Sequence, residues 1–451
     1  MKLNPFEILK KYVQSGEIKD WRWEETHIHR QEEYLIGESR EMIVERSRRV
    51  SDRQFHLYIS VPIGSDQQGG YFGQLNELDN FEKELSAFIE KAQVSSEKLW
   101  EVDAFVENKS IASAKSYDAR VLKDPSLVSR GLTEVLAGQV QNITQSQFNS
   151  GEVFVTSTEK MVRASNGYED VLKQSKIYVE VCFSSFGTEE SDSQEYVVTR
   201  WGVHSDQIDI PEMCKVSNEN CNALSRAEKM PTGKFSVLVD SEILAPMFDD
   251  VVTQLNLQRK YLSLPFISSG ELLVDGSHQH WSLSLDPEIP YGMRTSNYNQ
   301  WGREQKKLTL ISDNRVTNNI VDKQHGSYLD KKPNTSIGNM RVTAKTPRQV
   351  DELRKTEGIV VEILQLSGLF TDVNTLTFSS EIRLARVIDN TTGKSFFAKG
   401  GNFSGSFKDN TTQIVFSNEQ TDQHLMNFRI DGGVSYFGPK WALLNGVSIT
   451  S

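Results

Sequence analysis

Residues 155–186 read VTSTEKMVRASNGYEDVLKQSKIYVEVCFSSF. The outgoing arm starts near Val153 and runs to Asn166-Gly167. That dipeptide tolerates positive φ at both central positions, which a two-residue hairpin turn demands. The return arm, SKIYVEVCF, puts Ile177, Val179 and Val181 on one face at period two. A further strand is expected at YVVTRWGVH, then a weaker helix over residues 212–227.

Upstream, the pattern is similar. Residues 41–61, EMIVERSRRVSDRQFHLYISV, alternate around a turn, with Leu57, Ile59 and Val61 on one face. Leu78, Phe81, Leu85, Phe88, Ile89 and Ala92 then recur at helical steps. Asp124-Pro125 is an N-cap followed by proline at the first helical position, and it opens a second helix. Met42 and Met161 lie 119 residues apart, and Tyr58 and Tyr178 lie 120 apart. An internal duplication would produce this echo, and so would two unrelated amphipathic hairpins.

Met230-Pro-Thr-Gly-Lys234 breaks the pattern and divides the chain into domains 1–230 and 231–451. After it come the strand FSVLVD and a helix from about Ser241, whose stripe is Ile243, Leu244, Met247, Phe248, Val251, Val252 and Leu255. Pro246 is tolerable there only if it falls near the first turn. From Glu271 the pattern is mostly β, with a hairpin at Asp313-Asn314. One helix interrupts, with Thr346 as cap, Pro347 at its first position and Gly358 as its stop. The expected fold class is α+β. Its N-terminal domain has strand pairs with covering helices, and its C-terminal domain is mostly antiparallel β.

The composition is that of an ordinary globular chain. Of 451 residues, 37% are hydrophobic and 25% charged. The net charge of −11 argues against a chain that coats nucleic acid or an anionic membrane. Three cysteines are too few for a disulfide framework and suit a reducing compartment. No stretch reads as a signal peptide or a membrane span, so a cytoplasmic location is expected.

The candidate chemistry is sparse. His278-Gln-His280 and His27-Ile-His29 each place two imidazoles on one strand face, a spacing that metals use, but neither has a third ligand nearby in sequence. Cys182, Cys214 and Cys221 read as core residues. Lys399-Gly-Gly-Asn-Phe-Ser-Gly405 reads as a tight turn before it reads as a phosphate nest. Asp249-Asp250 lies on the less apolar side of its helix, where a solvated pair is expected. No nucleophile elbow, P-loop or dinucleotide motif is present.

The order of these signals resembles the TldD/PmbA family, whose PmbA side is also called TldE. The 155–186 hairpin is similar to that family's strand–turn–strand block. ALSRAEKMPTGKFSVLVDSEILAPMF (223–248) resembles its domain junction, FFAKGGNFSGSFKDN (396–410) its glycine block, and FGPKWALLNGVSI (437–449) its closing strand. The family is one of predicted zinc-dependent peptidases, long named as modulators of DNA gyrase. Nothing in these residues suggests gyrase. TldD-like members carry His-Glu-x-x-x-His on the helix after the junction, and a later Cys completes the zinc site. Here that place holds Asp249, Asp250 and Gln254, and no Cys follows Cys221. The resemblance is therefore to the TldE/PmbA side. It implies a non-catalytic subunit with no cofactor of its own. Zinc would sit only in a TldD-like partner, and the three residues would line a chamber for unfolded peptide. Assembly would be with that partner or with a second copy. A homodimeric peptide-binding or regulatory protein is the alternative. A divergent metallopeptidase using His278 and His280 is a further one.

Overall fold

A computed structural model describes residues 4–38, 41–76, 78–108, 115–186, 193–273, 279–335, 337–426 and 433–451. Seven of its strands form the first sheet. They are β1 (Asp20–Glu38), β2 (Glu41–Ile63), β3 (Gln67–Leu75), β4 (Ser96–Lys98), β5 (Ser146–Ala164), β6 (Glu169–Ser185) and β7 (Glu195–Gly202). Their spatial order is β4-β3-β2-β1-β5-β6-β7, antiparallel throughout.

This order contains a repeat. Helix α1 (Pro5–Ser15) leads into β1, β2 and β3, and α2 (Phe81–Gln93) follows. After the short α3 (Ala119–Lys123), α4 (Pro125–Asn142) leads into β5, β6 and β7, and α5 (Ile210–Ser225) follows. The two units meet at β1 and β5, which run antiparallel from Arg22 opposite Ala164 to Ile36 opposite Ser150. Each unit has its own core. Leu9, Trp21, Leu57, Ile59, Leu85 and Phe88 pack together in the first, and Leu136, Val153, Val179, Met213 and Cys221 in the second. Tyr58 and Tyr178 occupy matching strands, β2 and β6. Met42 and Met161 do not, since Met42 opens β2 and Met161 lies near the end of β5.

All four long helices cover one face of this sheet. Gly69 shows how closely α2 docks, because a Cβ there would lie 1.8 Å from the carbonyl oxygen of Ala92. The hairpin between β5 and β6 forms, but through the four residues 165–168, in which Gly167 has φ +91° and Asn166 does not have positive φ, so the two-residue turn is not made. Asp124 caps α4 as expected, accepting from the Ser126 N–H. Residues 41–61 contain no turn. They belong to one continuous strand whose partner, β1, carries too many charges to read as a strand from its own alternation.

The C-terminal half consists of a nine-stranded and a six-stranded sheet among the described residues. The nine-stranded sheet includes β8 (Glu228–Lys229) and β9 (Gly233–Asp240). β9 runs parallel to Ile359–Leu366 and antiparallel to Trp441–Thr450. Helix α6 (Ser241–Gln254) lies in a core shared by both sheets, since Phe248 packs on Trp281 of the smaller sheet and near Phe407 and Phe416. Pro246 falls beyond the first turn of α6. The carbonyl it leaves without an N–H partner is that of exposed Glu242, so the helix continues. The Asp313-Asn314 turn forms, with φ +50° and +66°. The helix expected at Thr346 starts later, at Val350–Arg354, because Arg348 is held extended by a bridge to Ser417.

Candidate functional site

Asp240 ends β9 and caps α6, accepting from the N–H groups of Glu242 and Ile243. Burial, together with the Glu242 carboxylate, pushes the Asp240 carboxyl up to about 7. Arg200 of β7 pairs with Glu242, which fastens the start of α6 to the first sheet. The helix therefore enters the C-terminal core at a defined angle.

Its last two turns carry the three residues singled out from the sequence. The solvated-face expectation for the aspartates is corrected: Asp249, Asp250 and Gln254 are 4%, 5% and 4% exposed. Sheets lie on both sides of α6, so even its less apolar side is covered. Asp249 Oδ1 lies 3.4 Å from Arg294 Nη1, and Arg294 Nε donates to the carbonyl of Gly433. Gln254 Nε2 donates to the carbonyls of Val373 and Asn374, at 2.6 and 3.0 Å. Asp250 borders a cavity of about 10 Å³ walled by Met247, Thr371, Leu376, Thr377, Phe378 and Phe407. Thr371, Thr377 and Phe378 also line an open groove of about 490 Å³, with Phe370 at its rim. Asp250 thus lies directly behind the wall of a surface groove.

These residues do not fit a zinc ion. The Arg294 guanidinium already faces Asp249 and would oppose a second cation, and the Gln254 amide nitrogen is committed to two backbone carbonyls. Among the described residues, no group of three or more His, Cys, Asp and Glu side chains is placed to hold a metal. His278 lies outside the described residues. His280 is exposed, and its carbonyl accepts from Lys345. His27 and His29 lie on β1, where His27 Nε2 is 2.7 Å from Glu25 and His29 Nδ1 is 3.2 Å from Ser51. Cys182, Cys214 and Cys221 are buried free thiols.

One polar cluster was not legible in the sequence. Buried His424 has Nδ1 2.8 Å from Ser435 Oγ and Nε2 3.0 Å from Gln207 Nε2. Gln207 Oε1 accepts from the N–H groups of Val203 and His204, so its amide nitrogen must face His424. His424 Nε2 is then an acceptor, and Nδ1–H donates to Ser435. Ser435 is fully buried and accepts from the Met293 N–H, so it serves here as a structural link and not as an exposed nucleophile. A lone His in TDQHL carries no spacing signal that could have pointed to this cluster.

The arrangement of a repeated α/β unit, two C-terminal sheets and a helix buried between them matches a known class. No family model matches the sequence, and no curated protein does. Solved structures do. TldE from Thermococcus kodakarensis superposes with a TM-score of 0.77 at 12% identity, covering 99% of this chain and 100% of that one. A proposed modulator of DNA gyrase from Bacteroides thetaiotaomicron gives 0.74 at 13%, covering 99% and 98%. Another from Thermotoga maritima gives 0.73 at 14%, covering 99% of each. The chain has the TldD/PmbA-family fold over its whole length. TldE is among the structures of that class on which it superposes.

Proposed function

We propose that the chain is a TldE/PmbA-like, non-catalytic subunit of a cytoplasmic peptide-degrading complex, in which a TldD-like partner supplies the zinc. The observation that carries this reading is Asp249 locked against Arg294 on α6, in a chain that shares the TldE fold end to end. The helix that carries metal ligands in TldD-like members is here a buried strut. In this role the chain walls a chamber and holds unfolded peptide. Asp250 contributes from behind the groove at Phe370, Thr371 and Phe378, and Asp249 and Gln254 fix its position. The division near Met230 sets an N-terminal domain apart from a C-terminal domain that lines this groove and forms most of the contact with the partner. No helix among the described residues is long and apolar enough to cross a membrane.

The test is co-expression with a TldD-like subunit, then cleavage of an unfolded peptide with and without this chain. Co-purification and cleavage that depends on both chains are expected. A chain that stays monomeric by light scattering at micromolar concentration, alone and with the partner, contradicts the proposal. So does zinc-dependent cleavage by this chain alone.

A further inference from the structure

The face of the first sheet opposite the helices carries none of the long helices. It is not apolar either. Across β1, β5, β6 and β7 runs a row of four half-buried aromatic rings. Tyr34 and Phe154 have centroids 5.3 Å apart, Phe154 and Tyr178 5.7 Å, and Tyr178 and Trp201 4.6 Å. The register makes the row regular, since Phe154 lies opposite Tyr178 and Tyr178 opposite Trp201.

Carboxylates flank this row. Glu152 lies opposite both Tyr34 and Glu180 in the sheet. Glu180 accepts from the Tyr178 hydroxyl at 2.7 Å. Glu32, on the same face, is matched by Arg48 and Arg30. Among the described residues, no ion pair is formed by Glu152 or Glu180. Instead they face each other, and burial with this like charge raises the Glu152 carboxyl above its ordinary range. Cations on the sheet lie further along: Lys176 is opposite Thr156, and Arg46 lies over the outer ring, 5.8 Å from the Tyr34 centroid.

We propose that this face binds an extended peptide segment through a lysine or arginine side chain laid on the Phe154–Tyr178–Trp201 row, with its charge between Glu152 and Glu180. The inference rests on the peptide-holding role above and gives it a substrate class. The chemistry is complementary in two independent ways. Aromatic faces attract a cation, and two adjacent carboxylates gain from one that separates them. A strand-like segment would lie along the sheet with alternate side chains reaching this row. The chain's net charge of −11 favours encounter with a cationic segment.

The test uses this chain alone, with Trp201 near the site as one fluorescent reporter and calorimetry as the second readout. The probes are an unstructured decapeptide of alternating Arg and Gly, its Glu-for-Arg counterpart and a Ser-for-Arg counterpart. Binding of the arginine peptide that weakens with salt is expected, with neither counterpart binding comparably. Glu152→Gln with Glu180→Gln should weaken it about tenfold or more, and Tyr178→Ala should weaken it independently. Glu152→Lys, a half-exposed position where folding is checked by circular dichroism, should shift preference toward the glutamate peptide. Equal binding of the acidic and basic peptides overturns the proposal. So does an unchanged affinity in the double glutamine variant, or self-association of the chain through this face that the double variant abolishes. Cleavage by the partnered complex separates the two readings. If the complex cleaves neutral peptide but the double variant keeps the same preference for basic peptide, only this inference fails. If the complex cleaves nothing while the arginine peptide binds as described, only the peptidase role fails.

Discussion

The amide nitrogen of Gln207 and Nε2 of His424 lie 3.0 Å apart, across the junction of the two halves of the molecule. Gln207 follows β7, and His424 belongs to the strand Gln420–Leu425, which packs beside β7. The same amide donates to Asp422 at 2.9 Å. One glutamine thus ties a loop of the first half to a strand of the second, while its oxygen pins the backbone of its own loop.

Removing it should cost more than one surface contact. Gln207→Ala strands His424 Nε2 and two backbone N–H groups, so a loss of roughly 1–3 kcal/mol is expected. Urea unfolding of the variant against the parent measures it. A change below about 0.5 kcal/mol would assign the junction's stability elsewhere.

Asp422 should make this junction acid-sensitive. The His424 imidazole 3.5 Å away and the Gln207 amide that donates to it hold the carboxyl below the ordinary range, against the opposing effect of burial. A carboxyl with a depressed folded pKa contributes stability that is present above the unfolded value, about 3.9, and lost as pH falls through the folded value. The stability difference between the parent and Asp422→Asn should therefore be present at about pH 6 and close below about pH 4. A difference that grows on acidification would contradict the pairing.

Asp249→Ala should destabilise by about 3–5 kcal/mol, because it leaves the Arg294 guanidinium buried without its carboxylate. Asp249→Leu combined with Arg294→Met removes both charges and should cost clearly less. Thermal or chemical unfolding of the single and double variants decides between them. An innocuous Asp249→Ala would restore the solvated-face reading.

The thiols should be silent in the native state. Burial pushes Cys182 up to about 11 and Cys214 up to about 12, and it raises Cys221 as well. Since the thiolate is the reactive form, a chromogenic disulfide reagent at about pH 8 should titrate almost none of them until denaturant is added, then all three. Rapid reaction of one thiol in the native protein would reveal a local opening.

Much of the fold could be read where chemistry is local. Asp313-Asn314 and Asp124-Pro125 specify a turn and a cap within a few residues, and both form as expected, while Asn166-Gly167 marks its hairpin correctly but sits in a longer connection. β1 could not be read this way. Its buried Glu24 and Glu32 make sense only beside Lys160 and Arg48, which neighbouring strands supply. Thr346 has good capping chemistry, yet the bridge from Arg348 to Ser417 keeps the chain extended there. The periodicity of α6 revealed its core stripe but not that a second sheet covers its other side, which is why Asp249 and Asp250 looked solvated. His424 and the aromatic row depend on strand pairing across the sheet, and no spacing along one strand records that.

The seam between β1 and β5 also bears on how the chain assembles. β1 with β2, and β5 with β6, are hairpins that can close locally, whereas pairing Ile36 with Ser150 closes a loop on the order of a hundred residues. The seam is therefore expected to zip last. Until then, two long strands carry open edges of matched length. A β1 edge in one molecule then fits a β5 edge in another as well as its own. Refolding at high concentration should accordingly divert chains into exchanged dimers whose native halves are joined across molecules.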